Sequence, residues 1–430
     1  MRILLTGAKG FLGRSVSAGL ETAGHQVIAV ARSGPGSRQQ EGKRSVLLDI
    51  GSATTPERWL PFLQDVDAVV NCAGLLQDGP GNSVRAVHVD GIAALFAACE
   101  RAGVRRVVHV SAIGVDREQP SAFSRTKLDG DQALMARELD WVIIRPSVIV
   151  GRPAYGGSAL FRGLAALPIL PVMPGTGLLQ IVQLNEVVQT IIFFVQPEAP
   201  ARIALDLAGP ERLPFTDVVL AYRRWLGRRR PTLLNLPVRA AGLAFRIGDL
   251  FGMLGWRPPM RSTAASEMTR GAVGDPAEWQ RVTGIQSASL GASLAAEPAG
   301  VQEQWFASLY FLKAFGLIVF SLFWIATGLI SLGPGWERGK GLMFEGGVGE
   351  PLATLAVVGG AFADILIGIG IAWRRTARLG LLAALVISLV YALIGTILVP
   401  QLWSDPLGPM LKIWPIIAFN LMLLAVLRDR

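Results

Sequence analysis

The apolar positions of this chain fall into two patterns. Over the first 152 residues, short apolar runs alternate with longer amphipathic stretches. RILLT (2–6), HQVIAVAR (25–32), SVLLDI (45–50), DAVVNCAG (67–74), RVVHVSAIGV (106–115) and WVIIRPSVIVG (141–151) have the length and β-branched content of strands. DGIAALFAACERAG (90–103) and residues 125–139 have the helical repeat. Near-continuous apolar strands with helices between them predict a parallel sheet covered on both faces, and an α/β fold.

The second pattern fills the last 130 residues. Residues 314–332 carry no charge over 19 positions, 352–373 carry one, Asp364, over 22, and 379–399 carry none over 21. Residues 410–427 form a weaker run with Lys412 and Pro415 near its start. A membrane span needs ~20 apolar residues to cross ~30 Å of hydrocarbon. Four spans are therefore expected, making 301–430 a four-helix transmembrane bundle. Asp364 is either a proton or headgroup site inside that bundle or a hydrogen-bonded packing residue. A carboxylate at mid-membrane costs at least ~3 kcal/mol.

Composition sharpens this division. Hydrophobic residues make up 51% and charged residues 17%, against ~25% charged in an ordinary soluble protein. Of the net charge of +9, residues 301–430 hold only +2. The basic balance favours anionic partners; beside apolar spans that means a lipid bilayer, not nucleic acid. Arg374, Arg375 and Arg378 crowd the connection after the second span, and Arg428 and Arg430 follow the last one. The positive-inside rule places both in the cytoplasm. Arg338 and Lys340, in 333–351, vote weakly the other way. The opening MRILLTGAKG has an apolar run of only three residues, Ile3–Leu5, in the five-residue stretch RILLT, short of the ~7–15 of a secretory signal. The N-terminal domain is expected in the cytoplasm, where Cys72 and Cys99 act as small apolar residues.

The candidate chemistry begins where the first strand runs into GAKGFLG. Glycines at 7, 10 and 13 stand between a strand and a helix. Gly7 permits a tight turn, Gly10 lets backbone N–H groups approach a pyrophosphate, and Gly13 lets the helix pack on the sheet with its positive end at the phosphates. Thr6, Phe11 and Leu12 share that turn and count with it as cofactor-binding. This is a Rossmann-type, doubly wound dinucleotide fold. Strand two ends at Arg32. An acid there favours NAD, whereas an arginine pairs with a 2′-phosphate. NADP (NADPH) is expected over NAD; a solvated surface arginine is the alternative.

The stretches TGAKGFLG, LLDI, NCAG, ERAGVRRVVHVSAIGV, SRTKLDGDQAL and IIRPSVIVG, within residues 1–152, together resemble an atypical short-chain dehydrogenase/reductase of the NAD-dependent epimerase/dehydratase superfamily. The nearest kind is the accessory nucleotide-binding subunit of mitochondrial complex I and its bacterial relatives. SDPLGPMLKIWP (404–415) is similar to the DoxX-like membrane domain. The resemblance implies a bacterial cytoplasmic (inner) membrane protein with three parts. These are an NAD(P)-binding domain at 1–152, a smaller substrate lobe and linker at 153–300, and the DoxX-like domain at 301–430. It also implies that Asp49 contacts the adenine and that Asn71, Ala73 and Gly74 lie along the ribose and nicotinamide. Ser111 would orient a substrate carbonyl, Lys127 would hold the nicotinamide ribose, and Pro146 would pack beside the nicotinamide.

One residue departs from that pattern. The tyrosine of Tyr-x-x-x-Lys is Phe123, which has no proton to give. General acid help is typically worth 10²–10⁴-fold. Of the four tyrosines only Tyr155 lies near the site in sequence, and Ser124 is turned about 100° away on the helix. His88 stands where the family has asparagine; it is either a proton donor or a helix-start residue with a local hydrogen bond. His25 and His109 read as strand-edge or core residues. Hydride transfer to a self-protonating acceptor such as a quinone survives the loss, and so does a nucleotide that never turns over. A sugar-nucleotide epimerase or dehydratase leans on the same tyrosine.

The middle offers two further features. In PILPVMPGTGLLQIVQLNEVV (168–188), Glu186 stands where the family has aspartate. YRRWLGRRRP (222–231) carries five arginines, either a solvated helix end or a contact for anionic lipid heads. RAAGLAFRIGDLFGMLGW (239–256) is apolar apart from Arg239, Arg246 and Asp249 on one helical face. It can lie flat on a membrane, cap a cleft, or be a core helix.

Overall fold

The structure is a computed structural model that describes residues 1–32, 45–256 and 258–427. It divides into two compact units, Met1–Leu250 with Pro258–Ala307, and Phe251–Arg257 with Ser308–Arg430.

The first unit is built on a seven-stranded sheet. Its strands are β1 (Arg2–Thr6), β2 (Gln26–Ala31), β3 (Ser45–Leu47), β4 (Ala68–Asn71), β5 (Arg106–Val110), β6 (Asp140–Pro146) and, later in the chain, β10 (Ile203–Leu207). The order is β10-β6-β5-β4-β1-β2-β3 and every pairing is parallel. At the centre, β4 and β5 are buried along their whole length, as the continuous apolar runs require. One face is covered by α1 (Phe11–Thr22) and α5 (Leu184–Phe194), which meet so closely that a Cβ on Gly19 would lie 2.5 Å from Val188. The other is covered by α2 (Gly91–Ala102) and α3 (Ala122–Met135), with Trp59, Phe96 and Leu134 in its core. α3 begins at Ala122, three residues before the expected start, because Ser121 and Ser124 form a reciprocal cap.

WVIIRPSVIVG is not one strand. β6 ends at Pro146, and β7 (Val148–Val150) turns into a separate two-stranded sheet with β9 (Ile181–Gln183). β8 (Ile169–Val172) pairs with β11 (Thr232–Asn235) in another. Around them lie α4 (Gly156–Ala166), α6 (Phe215–Trp225), α7 (Val238–Met253), α8 (Ser262–Arg270), α9 (Ala277–Thr283) and α10 (Leu290–Ala296). Two of the five arginines of 222–231 have structural work. Arg223 Nη1 donates to Ala165 O and Arg228 Nη1 to Ala166 O, satisfying the last carbonyls of α4. Glu186 accepts from Gln183 N and Ala288 N, and burial raises its carboxyl above the usual range.

The second unit holds α11 (Val301–Leu332), α12 (Trp336–Glu345), α13 (Glu350–Ala372), α14 (Ala377–Leu398) and α15 (Ile413–Val426); α11 starts in the first unit. α11, α13 and α14 are long and apolar enough to cross a membrane. α15 has 14 residues, about 21 Å, so the fourth expected span is shorter than the other three. The connection 333–351 contains α12, whose Lys340 Nζ pairs with Glu350 Oε1 at 2.5 Å. Small residues let the long helices touch. A Cβ on Gly328 would sit 2.4 Å from Ala361 O, and one on Gly368 2.7 Å from Ser321 O. Asp364 is 2% exposed and accepts from Tyr391 Oη at 2.9 Å. Arg428 and Arg430 lie outside the described residues.

Candidate functional site

The expected site residues gather along one edge of the main sheet. β1, β4, β5 and β6 end at or one residue before Thr6, Asn71, Ser111 and Pro146; Arg32 follows β2 and Asp49 lies two residues past β3. Read across the sheet, the order is Pro146, Ser111, Asn71, Thr6, Arg32, Asp49. The strand order reverses direction at β1, the switch point where parallel sheets open a ligand crevice.

The glycine turn is set by three close approaches. Gly7 has φ +67°, and a Cβ there would lie 2.8 Å from Ala73 N. Gly10 N donates to Gly7 O at 2.8 Å. A Cβ on Gly13 would lie 2.1 Å from Gly7 O. α1 therefore starts directly against the strand end, with no acidic residue in its first turn, and its N–H groups favour an anion. Leu12 is buried, and Phe11 stacks on Tyr155 at 5.6 Å. Beneath the turn, buried Thr6 Oγ1 donates to Asn71 Oδ1 at 2.5 Å, and Ala73 N donates to the same oxygen at 3.2 Å.

At one end a cleft of about 420 Å³ is lined by Asp49, Gly51, Ser52, Asn82, Ser83 and Val87. Asp49 is exposed and caps the following turn through Gly51 N. Arg32 is exposed too and donates from Nη1 to Asn82 Oδ1. The cleft suits a purine base between Asp49 and the 79–87 segment, with Arg32 beside it.

At the other end, Lys127 is 5% exposed and donates from Nζ to Val110 O at 2.8 Å. Burial pushes its ammonium down to about 8. A Cβ on exposed Gly74 would sit 3.5 Å from that Nζ and 3.6 Å from His88 Nε2. Ser111 Oγ is buried beside Asp131, whose carboxyl it helps hold down. A buried hydroxyl, a lysine with N–H groups to spare and a bare glycine floor fit a nicotinamide ribose and an acceptor oxygen.

Phe123 is half-buried and meets His88 edge-on at 5.7 Å. His88 Nε2 accepts from Leu75 N at 2.9 Å, so its proton is on Nδ1, shared with Thr126 Oγ1 at 3.0 Å. Burial, then Lys127, pushes it down to about 2; it is a neutral scaffold residue and not a ready acid. Ser124 is turned away as expected: its hydroxyl donates to Glu267 Oε1 of α8 at 2.9 Å.

Behind the site lies a buried polar chain that motif reading missed. Asn71 Nδ2 donates to His109 Nδ1 at 2.8 Å, and His109 Nε2 stands 3.4 Å from Asp131 Oδ1. Asp131 accepts from Arg145 Nε at 3.1 Å, and Arg145 Nη1 donates to Asp116 Oδ2 at 2.7 Å. One signal was available: Asp131 is four residues after Lys127 and so on the same helix face.

Residues 7–164 match the NAD(P)H-binding family and residues 321–421 match the DoxX-like family. Among curated relatives, an uncharacterised Mycobacterium tuberculosis protein is 28% identical over 224 residues, 52% of this chain and 23% of its own length. The chain thus spans less than a quarter of that relative. The ceramide reductase of Caulobacter vibrioides is 23% identical over 237 residues, 55% of this chain and 73% of that one. The 2-alkyl-3-oxoalkanoate reductase of Stenotrophomonas maltophilia is 30% identical over 173 residues, 35% and 52% of the two chains. Among solved structures, MoeE5 with UDP-glucuronic acid and NAD superposes at a TM-score of 0.52 with 22% identity, over 69% of this chain and 97% of its own. The UDP-glucuronic acid 4-epimerase of Bacillus cereus does so at 0.52 with 17% identity, over 73% and 100%. At these identities the structures speak to fold alone. The chain joins an NAD(P)H-binding, Rossmann-type domain, similar to short-chain dehydrogenases/reductases, to a DoxX-like domain.

Proposed function

We propose that the protein is a membrane-anchored NAD(P)H-dependent oxidoreductase whose acceptor dissolves in the membrane, such as a quinone. The observation that carries this reading is Phe123, an inert ring in a site that keeps Ser111 and Lys127. Reducing an isolated carbonyl leaves an alkoxide that needs an acid at once. A quinone leaves a stabilised phenolate that takes its proton from water. When bound, the nicotinamide supplies hydride. One NADPH, one quinone and one solvent proton balance to NADP⁺ and quinol. Lys127 Nζ holds the ribose hydroxyls, and Ser111 Oγ donates its hydrogen bond to the acceptor oxygen. The three long apolar helices and a relative named for reducing a lipid, ceramide, support an acceptor from the lipid phase. Arg374, Arg375 and Arg378 support an inner-membrane orientation with the nucleotide domain in the cytoplasm.

The test loads detergent-solubilised protein with NADPH and adds a lipid-soluble quinone, with Gly10→Trp as the blank. Oxidation above the blank is expected. Bound NADPH unchanged over hours would sink the reductase reading. It would favour the second one, in which nucleotide only stabilises or reports a conformation by RT ln(1 + [L]/Kd). Phe123→Tyr is expected to add carbonyl reduction to the quinone activity. Epimerase or dehydratase chemistry, which needs that tyrosine in the starting protein, is the least supported reading.

Arg32 carries the preference for NADPH. Charge-assisted bonds are worth ~1.5–3 kcal/mol, so Arg32→Glu should weaken NADPH binding by roughly 10–100-fold. NADH binding should hold or improve. Equal losses for both would remove Arg32 from the 2′-phosphate.

A further inference from the structure

α7 presents two unlike faces. Ala241, Phe245, Gly248 and Gly252 share one side and are all buried. Ala241 and Phe245 pack with Met173, and a Cβ on Gly248 would lie 1.8 Å from Met260 O. That close contact settles which side faces its own domain. The other side bears Leu243, Ile247, Leu250 and Met253, which are 60, 45, 54 and 68% exposed.

Arg239 and Arg246 fall on the same outward side and are exposed. The helix has one carboxylate, Asp249, and it is taken: it accepts from Arg261 Nε at 3.1 Å and lies toward Ser262 N. The outward face is thus apolar and basic with no acid. Just upstream, Leu233 and Leu234 of β11 are 51 and 52% exposed, and Arg229 and Arg230 are exposed beside them in sequence.

We infer that the outward face of α7 lies in the interfacial layer of an anionic lipid bilayer, with its four apolar side chains among the upper acyl chains and Arg239 and Arg246 at phosphate level. Where the helix ends decides for lipid over a protein partner. Phe251 to Trp256 belong to the unit of long apolar helices. Trp256 Nε1 donates to Ala372 O at 2.7 Å, Arg374 N donates to Leu254 O at 3.1 Å, and the Arg374 guanidinium lies 5.4 Å from the Trp256 ring. Tryptophan and arginine at the end of an apolar span mark the headgroup level. A 16-residue helix ending there is about 24 Å long. Leu250 is the chain neighbour of Phe251, so the exposed stripe runs on in sequence from the segment at that level, with the composition of an interfacial helix.

The experiment uses the full chain in vesicles of phosphatidylcholine with phosphatidylglycerol. Spin labels go on Leu243→Cys, Ile247→Cys and Leu250→Cys, each in a Cys72→Ala background, with exposed Arg58→Cys as the aqueous reference. Collision rates are read with oxygen and with a water-soluble nickel chelate. The expected result is high oxygen access at the three α7 positions and nickel access several-fold below that at residue 58. Nickel access equal to the reference would overturn the inference. So would protection from both reagents, or broadening by a label on a second copy, since either means a protein covers this face. Arg239→Glu with Arg246→Glu should raise nickel access at Leu250→Cys in these vesicles. No change would remove the anionic lipid from the proposal.

Discussion

Arg145→Met is expected to destabilise the nucleotide-binding unit by about 3–5 kcal/mol, the usual loss when one partner of a buried ion pair is removed. Its melting transition should fall by on the order of 10 °C. Arg145 is 7% exposed and Asp131 is 0% exposed. Burial alone would raise the Asp131 carboxyl; His109, then Ser111 and Arg145, outweigh it and hold the group below the usual carboxylate range. A folded-state value held down gives stability that is present above the unfolded value and lost as pH falls through the folded one. Without Arg145 only His109 and Ser111 still oppose that burial, and the folded-state value rises. The folded variant then holds its proton to higher pH than the starting protein does. Its deficit should be largest at neutral pH and shrink as pH falls. Thermal unfolding in detergent at several pH values checks this. Adding Asp131→Leu should recover most of the loss, since no buried charge is then left alone. A pH-independent deficit would mean that Arg145 acts through packing.

The polar chain behind that prediction also marks a limit of sequence reading. Asp131 lies on a helix between Gly130 and Gln132, where a carboxylate ordinarily faces water. It is buried because α3 turns the Lys127 face onto the sheet, where His109 of β5 and Arg145 of β6 project toward it. Three residues scattered over 36 positions meet only once the order β6-β5-β4 is known. The glycine turn is the opposite case. Its strand, turn and helix are contiguous, so spacing alone places Gly7, Gly10 and Gly13.

Boundaries failed for local reasons. WVIIRPSVIVG is apolar throughout, so nothing in its hydrophobicity announces two strands. Pro146 ends the first, and Ser147 N donates to Leu207 O of the edge strand before the chain leaves the sheet. β10 is hard to assign for a related reason: its sequence, IALDL, alternates no differently from a strand of a small lobe. Only its register with Val142 to Pro146 puts it in the main sheet. In the rear, freedom from charge over ~20 positions sufficed for three helices. It overstated the fourth, because residues 410–412 form a turn ahead of the 14-residue helix. For α7, composition left open membrane, cleft and core. The exposure of Leu243, Ile247 and Leu250 removes the fully buried core helix from those choices.

Gly13→Val should weaken nucleotide binding by roughly 100-fold. The new Cβ would stand 2.1 Å from Gly7 O, 2.7 Å from Gly7 C and 2.9 Å from Ala8 Cα, all backbone atoms with no side chain to swing aside. Nor can the turn retreat, since Gly7 is already pressed against Cys72 and Ala73 of the β4 end. The remaining escape is for α1 to lift from β1, carrying its N–H groups away from the pyrophosphate position. Overpacking of this kind costs ~1–3 kcal/mol. Much of it should fall on the bound state, so NADPH affinity drops by roughly 100-fold. Titration of NADPH fluorescence with solubilised protein measures it. Gly291→Ala on α10, where a Cβ meets nothing within 4 Å, is the matched control and should bind as the starting protein does. Wild-type affinity in Gly13→Val would mean that the dinucleotide does not sit on this turn, and the oxidoreductase reading would fall with it.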